Sequence, residues 1–193
     1  MSPFTDRSRR RLIKKSAASA AVVWAAPSVT TWDAVAAAAG SPISGITGQI
    51  TLATLSPGES LLGSSNQYSS NQTGFLFAEN CVTLPSSRTT DSGGTIPAGT
   101  PVQAYLFHFS RQGGTGSISG SFQLPGTIIG WDFTNGGLLN SDNPFAIGGV
   151  TYGSGRQFEA NDTITVNTTT GQVTINSATI SQFVDQARFY VLA

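Results

Sequence analysis

Apolar and polar residues alternate along much of the chain after residue 40, and helical periodicity is nearly absent. The clearest run is 117–124, where every second residue from Ile118 onward is apolar or glycine and the others are Ser or Gln. Such alternation is typical of a half-buried strand. Pro125 and Gly126 follow, which suits a type II turn, and 127–133 is predicted to return as the second strand of a hairpin.

The same criteria predict six further strands, which together indicate a single all-β domain over residues 40–193. The segment 102–110 is apolar on both faces, which favours a central strand covered from both sides. A turn at 167–171 predicts a second hairpin, and 111–116 is interpreted as a hairpin loop. Many short strands between loops rich in Gly, Ser, Asn and Thr favour a β-sandwich of jelly-roll-like type. The six strands are 48–55, 75–84, 102–110, 162–166, 172–180 and 187–192.

The first 39 residues differ in character from the rest. A basic head precedes a short, alanine-rich apolar stretch and a run of small residues that offers A-x-A cleavage registers, which is the layout of a cleavable, partly helical signal peptide. The head contains, in order, Ser8, Arg9, Arg10, Leu12, Ile13 and Lys14. These residues resemble the twin-arginine consensus S-R-R-x-F-L-K, with Leu12 standing for Phe and Ile13 for Leu.

This resemblance implies a bacterial or archaeal protein that the twin-arginine translocase exports in the folded state. Cleavage is predicted after Ala39, with Ala36 or Ala38 as alternatives. The apolar stretch is shorter than the roughly 20 residues that span a bilayer, so no stable membrane insertion is expected after cleavage. The expected location is extracellular or periplasmic.

Charge narrows the possible partners of the mature chain. Its four arginines against eight carboxylates give a net charge of −4, and it contains no lysine. Such a surface lacks the basic patch that nucleic acid or anionic lipid requires. Cys81 is the only cysteine and is expected to pack as a small apolar residue, with an intermolecular bridge as the alternative.

A series of strand and turn segments covers the second half of the chain. They are 97–102, 105–109, 116–122, 128–130, 140–142, 151–152 and 184–189. Through these segments, residues 94–192 resemble a domain of unknown activity in exported bacterial proteins, often found ahead of a PEP-CTERM-type sorting tail. The resemblance implies a β-sandwich and an extracytoplasmic location, and it implies no activity. Because this sequence lacks the sorting tail, the resemblance does not extend to a means of anchoring.

No catalytic constellation stands out. Asp91-Ser92-Gly93-Gly94 has the residues of a protease loop, but His108 is the only histidine and follows too closely for a triad, so a Gly-rich turn is favoured. His108 is expected to be partly buried and hydrogen-bonded. One His and one Cys also exclude the usual transition-metal sites, and no cofactor is expected.

Binding candidates are fewer and weaker. Tyr68, Trp131 or Tyr152 would stack on a sugar if exposed. Calcium takes six to eight oxygen ligands, and two oxygen-rich loops offer some; the candidate ligands are Asn140, Asp142, Glu159 and Asp162.

The expected function is therefore a non-enzymatic binding or surface-structural role, with polysaccharide or an envelope protein as partner. One alternative is a secreted polysaccharide hydrolase that uses a carboxylate pair such as Asp132 and Glu159, although strand alternation predicts that Asp132 is solvated. The other alternative is a self-assembling surface component, for which an uncovered edge strand would be the sign.

Overall fold

The computed structural model describes residues 42–62, 67–70, 72–110, 116–158, 162–179 and 184–193. The predicted signal peptide, its cleavage site and Glu159 lie outside the described residues. Those described contain eleven strands and one helix, here called α1. In chain order they are β1 Ser44–Gly48, β2 Ile50–Ala53, β3 Gly74–Thr83, β4 Arg88–Thr89, β5 Thr95–Ile96, β6 Pro101–Phe109, β7 Ser117–Gln123, β8 Ile128–Asp132, α1 Asn135–Phe145, β9 Thr163–Asn167, β10 Gln172–Thr179 and β11 Asp185–Leu192.

Two sheets form a sandwich, which confirms the predicted all-β fold. The four-stranded sheet has the order β1-β7-β10-β9, and the five-stranded sheet has the order β2-β3-β6-β11-β8. All neighbours are antiparallel except β2 and β3, which are parallel. Side chains from both sheets meet in one apolar core, where the ring of Phe122 lies 6.4 Å from Phe107 and 5.8 Å from Phe189.

The central strand β6 is buried on both faces, as its sequence predicts. Phe107 and Phe109 point into the core between the sheets. Leu106 points the other way, into a second apolar cluster that contains Leu138 of α1, and Val102 lies in a third cluster with Phe145. The outer face of the five-stranded sheet is therefore covered by α1 and the loops around it.

The predicted hairpin of β7 and β8 is wrong, because the two strands lie in different sheets. The turn at Pro125 and Gly126, where Gly126 has φ 109°, carries the chain from one sheet to the other. β6 and β7 are also in different sheets, so the loop between them does not close a hairpin. The predicted hairpin of β9 and β10 is confirmed, with Asn167 paired to Gln172.

The helix α1 lies within 134–155, one of the segments rich in Gly, Ser, Asn and Thr that the sequence predicts to be loops. Its residues include two glycines and Pro144, and Asn143 departs from helical geometry at φ −99°, ψ 112°. These are poor helix formers. The helix forms because Leu138 and Phe145 bury their side chains against the sheet and because Thr134 caps its start, accepting a hydrogen bond from Gly137 N at 3.1 Å.

Within the described residues, no helix has the length and apolar character needed to cross a membrane.

Candidate functional site

A layer of buried charge lies between the five-stranded sheet and α1, centred on Arg188. Arg188 is fully buried and donates to both carboxylate oxygens of Glu79, at 2.5 and 2.8 Å. It also donates to Asp142 at 3.1 Å and to the Ser141 hydroxyl of α1. Burial alone would lower the pKa of Arg188, but the attraction of Glu79 outweighs it, and the pKa is raised.

Arg156 extends this layer toward β6. It pairs with Asp142 and donates to Gln186 at 3.3 Å. The side-chain amide of Gln186 contacts His108 Nδ1 at 2.8 Å, so His108 is hydrogen-bonded as predicted. His108 is also fully buried, whereas its sequence predicts partial burial. Burial, helped by the charge of Arg156, lowers the pKa of His108 to about 3. His108 is therefore neutral at physiological pH, and its Nε2 has no hydrogen-bond partner among the described residues.

A second ion pair lies at β8. Asp132 is fully buried and is held by Arg88 and by the hydroxyl of Tyr190. The prediction that Asp132 is solvated is therefore wrong. As expected from strand alternation, the side chains of Asp132 and Trp131 point to opposite faces of β8. The face that carries Asp132 is covered by the β4–β5 hairpin and α1, so water does not reach it.

The Asp91-Ser92-Gly93-Gly94 segment is the turn between β4 and β5, as predicted. Asp91 Oδ2 accepts hydrogen bonds from Phe133 N at 2.9 Å, Thr134 N at 2.7 Å and the Thr134 hydroxyl at 2.8 Å. Ser92 Oγ accepts from Trp131 N at 3.3 Å. Ser92 thus ties the turn to β8 and Asp91 ties it to the start of α1, which are structural roles.

Because of these contacts, few carboxylates in the described part of the chain are suited to acid–base catalysis. Glu79, Asp132 and Asp142 are each paired with arginine. A hydrolase needs one carboxyl group that can donate a proton and another that faces the substrate. Asp132 cannot face a substrate from its buried position, and Glu159 lies outside the described residues.

The candidate calcium ligands that the structure describes do not come together in one site. Asp142 engages Arg156 and Arg188 with its two oxygens. Asn140 is an exposed residue of α1 whose backbone carbonyl accepts from Arg88 Nη1 at 3.2 Å. Asp162 is half-buried just before β9. Among the residues that the structure places, no three His, Cys, Asp or Glu side chains converge into a possible metal site.

The aromatic candidates do not form an exposed platform. Tyr68 and Tyr152 are only 7% and 6% exposed and belong to the core beneath α1. The Tyr68 hydroxyl donates to Thr54 O at 2.8 Å, and the Tyr152 hydroxyl accepts from Ile147 N at 2.9 Å. Trp131 is half-buried against the inter-sheet core. Stacking on a sugar requires an accessible ring face, which Tyr68 and Tyr152 lack.

A groove of about 520 Å³ runs beside α1. Its walls carry hydroxyl and amide groups together with Arg88 and Asp91, which are already engaged in the contacts described above. None of its described lining residues is aromatic. The lining residues are Leu84, Pro85, Ser86, Ser87, Arg88, Thr89, Asp91, Gly137, Asn140, Asn143 and Pro144.

The outer face of the four-stranded sheet is a regular polar surface. Strand register aligns its side chains in three rows across the sheet, and none of them is charged. We call this surface the polar sheet face. Its rows are Thr47, Ser121, Thr174 and Thr165; Ser119, Asn176 and Thr163; and Gln123, Gln172 and Asn167.

Strand geometry sets the spacing of this face. Side chains in a row lie about 4.8 Å apart, and rows about 6.7 Å apart. Seven of the ten residues are exposed, and Ser121, Gln123 and Thr174 are half-buried. The hydroxyls of Thr47 and Ser121 are 2.9 Å apart, which shows that neighbours in a row are within hydrogen-bond reach. The sequence shows the alternation of each strand, but only the pairing reveals the array.

Comparison of the chain with protein-family models, with curated proteins and with solved structures gives no match.

Proposed function

We propose that this protein is an exported, non-enzymatic recognition module whose polar sheet face binds a neutral, hydroxyl-rich polymer such as an envelope polysaccharide. The observation that carries the proposal is the array of ten uncharged hydroxyl and amide side chains in register on four strands. Hydroxyl and amide groups both donate and accept hydrogen bonds, which matches the hydroxyls of a glycan. A charged polymer would find no counter-charge on this face.

The size of each contact favours a polymer over a small ligand. A hydrogen bond exchanged with water contributes only about 0.5–1.5 kcal/mol, and an open sheet face does not enclose its ligand. A repeating chain makes many such contacts at once, so that each further contact is formed at high effective concentration. Because no charge takes part, binding should depend little on ionic strength.

The hydrolase alternative has less support. The described carboxylates near the groove are held in ion pairs or, for Asp91, in three hydrogen bonds to the start of α1. His108 is buried and neutral. Each of these groups already stabilises the fold, so none is poised to exchange a proton with a substrate.

Co-sedimentation of the exported form with insoluble neutral polysaccharides, such as chitin and cellulose, tests the proposal. The double variant Ser119→Glu/Gln172→Glu places two charges on the polar sheet face and should weaken binding at least about tenfold, a change of about 1.4 kcal/mol. Leu139→Glu changes an exposed residue of α1, which packs against the other sheet, and is the matched control.

Asn140→Glu provides a second comparison, because Asn140 lines the groove. Loss of binding in this variant alone would move the site to the groove and overturn the proposal. Failure of the unaltered protein to bind any of the polymers would also overturn it.

We also propose that the chain is exported by the twin-arginine translocase, on the strength of the motif at Ser8 to Lys14. A fold that holds its charges in buried ion pairs and has one cysteine needs no oxidising compartment to form. Arg9→Lys/Arg10→Lys should leave the precursor in the cytoplasm, as fractionation and blotting would show. Unchanged export of this variant would contradict the proposal.

A further inference from the structure

We propose that β9 pairs with β9 of a second copy of this chain, so that two four-stranded sheets join into one continuous eight-stranded sheet. This inference concerns self-association and does not depend on the proposed polysaccharide binding.

The first argument is that β9 is a regular, open edge. Thr163–Asn167 pairs with β10 over its whole length without a register shift. On its other side, no described strand pairs with it. Such an edge presents backbone N–H and C=O groups that can pair with another strand.

The remaining sheet edges are poor templates by comparison. β1 contains Gly45 and Gly48 at φ 58° and 67°, and its register with β7 shifts. It continues through Gln49 into β2, a four-residue strand of the other sheet. Bulged, bent or short edges discourage strand pairing.

β8 is covered by the turn between β4 and β5. Ser92 N donates to Trp131 O at 3.1 Å, and Trp131 N donates to Ser92 Oγ at 3.3 Å. The edge groups of Trp131 are therefore already paired within the chain.

The second argument is that the sequence of β9 is complementary to itself. An antiparallel pair centred on Thr165 places Ile164 opposite the partner's Val166, and Thr163 opposite the partner's Asn167. Such directly opposed side chains are the unit of sheet stabilisation. The strand carries no charged side chain, so self-pairing brings no like charges together.

The third argument is the apolar surface that remains at this edge. Ile164 and Val166 pack against the inter-sheet core but are only half-buried. A second copy would cover the exposed part of both side chains and extend the core across the junction. This continuity favours a second copy over an unrelated strand, because Ile164 and Val166 of one copy would pack against Val166 and Ile164 of the other.

A two-fold pairing of this kind closes on itself, since each copy uses its β9 edge once. The product is a dimer rather than a fibre. The two polar sheet faces lie on the same side of the joined sheet, and if they bind polymer, the dimer would bind through both faces at once.

Light scattering coupled to size exclusion, with no polysaccharide present, tests the inference. The unaltered protein is expected to be dimeric. Thr165→Lys and Thr165→Glu place like charges opposite each other at the two-fold axis, so each variant alone should be monomeric. An equimolar mixture of the two should restore the dimer, because Lys then faces Glu.

Gln172→Lys is the matched control, since Gln172 is an exposed residue of the same face but lies on β10, one strand from the edge. It should remain dimeric. A monomeric unaltered protein, or a dimer that persists with Thr165→Lys, would overturn the inference. Neither result bears on polymer binding, which is measured separately.

Discussion

At the scale of single residues, the fold depends on charges that neutralise one another in its interior. Arg156 and Arg188 are each at most 1% exposed, and together with Glu79 and Asp142 they form a group of two cations and two anions. Moving any one of these charges out of water is costly. The group is tolerated because every member has an opposite charge as a partner.

Arg188→Met should therefore be strongly destabilising. It leaves the Glu79 carboxylate buried without its cation, and breaking a buried pair in this way costs about 3–5 kcal/mol. Urea denaturation would measure the loss in the free energy of unfolding. The double variant Glu79→Leu/Arg188→Met should lose less than the single variant, because it removes both charges. If the loss in the double variant equals the sum of the losses in Glu79→Leu and Arg188→Met measured singly, this interpretation is wrong.

His108 should make stability depend on pH in acid. Its folded pKa is about 3, below the usual 6.5, so between these values the unfolded chain binds a proton that the folded chain does not. Stability should therefore fall as pH decreases from about 6.5 toward 3, by up to about 1.4 kcal/mol per pH unit from this group. Above pH 6.5 its contribution is constant.

The variant His108→Asn keeps a polar group near Gln186 but cannot titrate. Unfolding free energies measured from pH 7 to pH 4 should fall less steeply in this variant than in the unaltered protein. Parallel curves would show that His108 does not contribute to the acid dependence.

At the scale of elements, turns decide how strands with similar patterns are distributed between the sheets. The β7–β8 turn packs beside the β9–β10 turn, with Leu124 N donating to Gly171 O at 2.9 Å and Ile128 N donating to Thr168 O at 3.0 Å. These bonds hold the point at which the chain leaves one sheet for the other. Gly171 lies at the centre of this contact.

Gly171→Ala should be more destabilising than Gly99→Ala. Both glycines have positive φ, 77° and 80°, so both substitutions strain the backbone. A Cβ at Gly171 would also lie 2.5 Å from the carbonyl oxygens of Gly126 and Leu124, whereas none of the described atoms lies within 4 Å of one at Gly99. The difference in unfolding free energy should be about 1–3 kcal/mol, measured by urea denaturation. Equal losses of unfolding free energy in the two variants would show that the β7–β8 and β9–β10 turns can move apart to accommodate the added methyl group.

At the scale of the whole molecule, packing and ion pairs must hold the sandwich without covalent cross-links within the chain. Cys81 is the only cysteine, and it is partly buried on β3. Burial raises the pKa of its thiol, which makes it less reactive.

The thermal unfolding midpoint should therefore be the same with and without a reductant, and Cys81→Ser should change it little. A lower midpoint under reducing conditions would indicate a bridge between two chains through Cys81, which was the alternative interpretation of this residue.

Most strands of the two sheets could be located from sequence because their signal is local, whereas β1 and the two-residue strands β4 and β5 were not predicted. β3, β6, β7 and β10 begin within one residue of their predicted starts, since alternation of side chains is a property of the strand itself. The helix α1 could not be predicted in the same way. Its cap is completed by Asp91, 43 positions away from Thr134, and its apolar residues are too few to show a helical period.

The sequence by itself therefore determined the fold class, the positions of most strands in the two sheets and the absence of charge along β7, β9 and β10. Tertiary structure alone decided which strands pair, because a short turn can join two strands of one sheet or lead to the other sheet. Tertiary structure also brought Glu79 to Arg188, which are 109 positions apart in the sequence. It buried Asp132 as well, whereas alternation could show only that Asp132 and Trp131 point to opposite faces of the strand. Burial and pairing depend on what covers a residue, and that covering comes from distant parts of the chain.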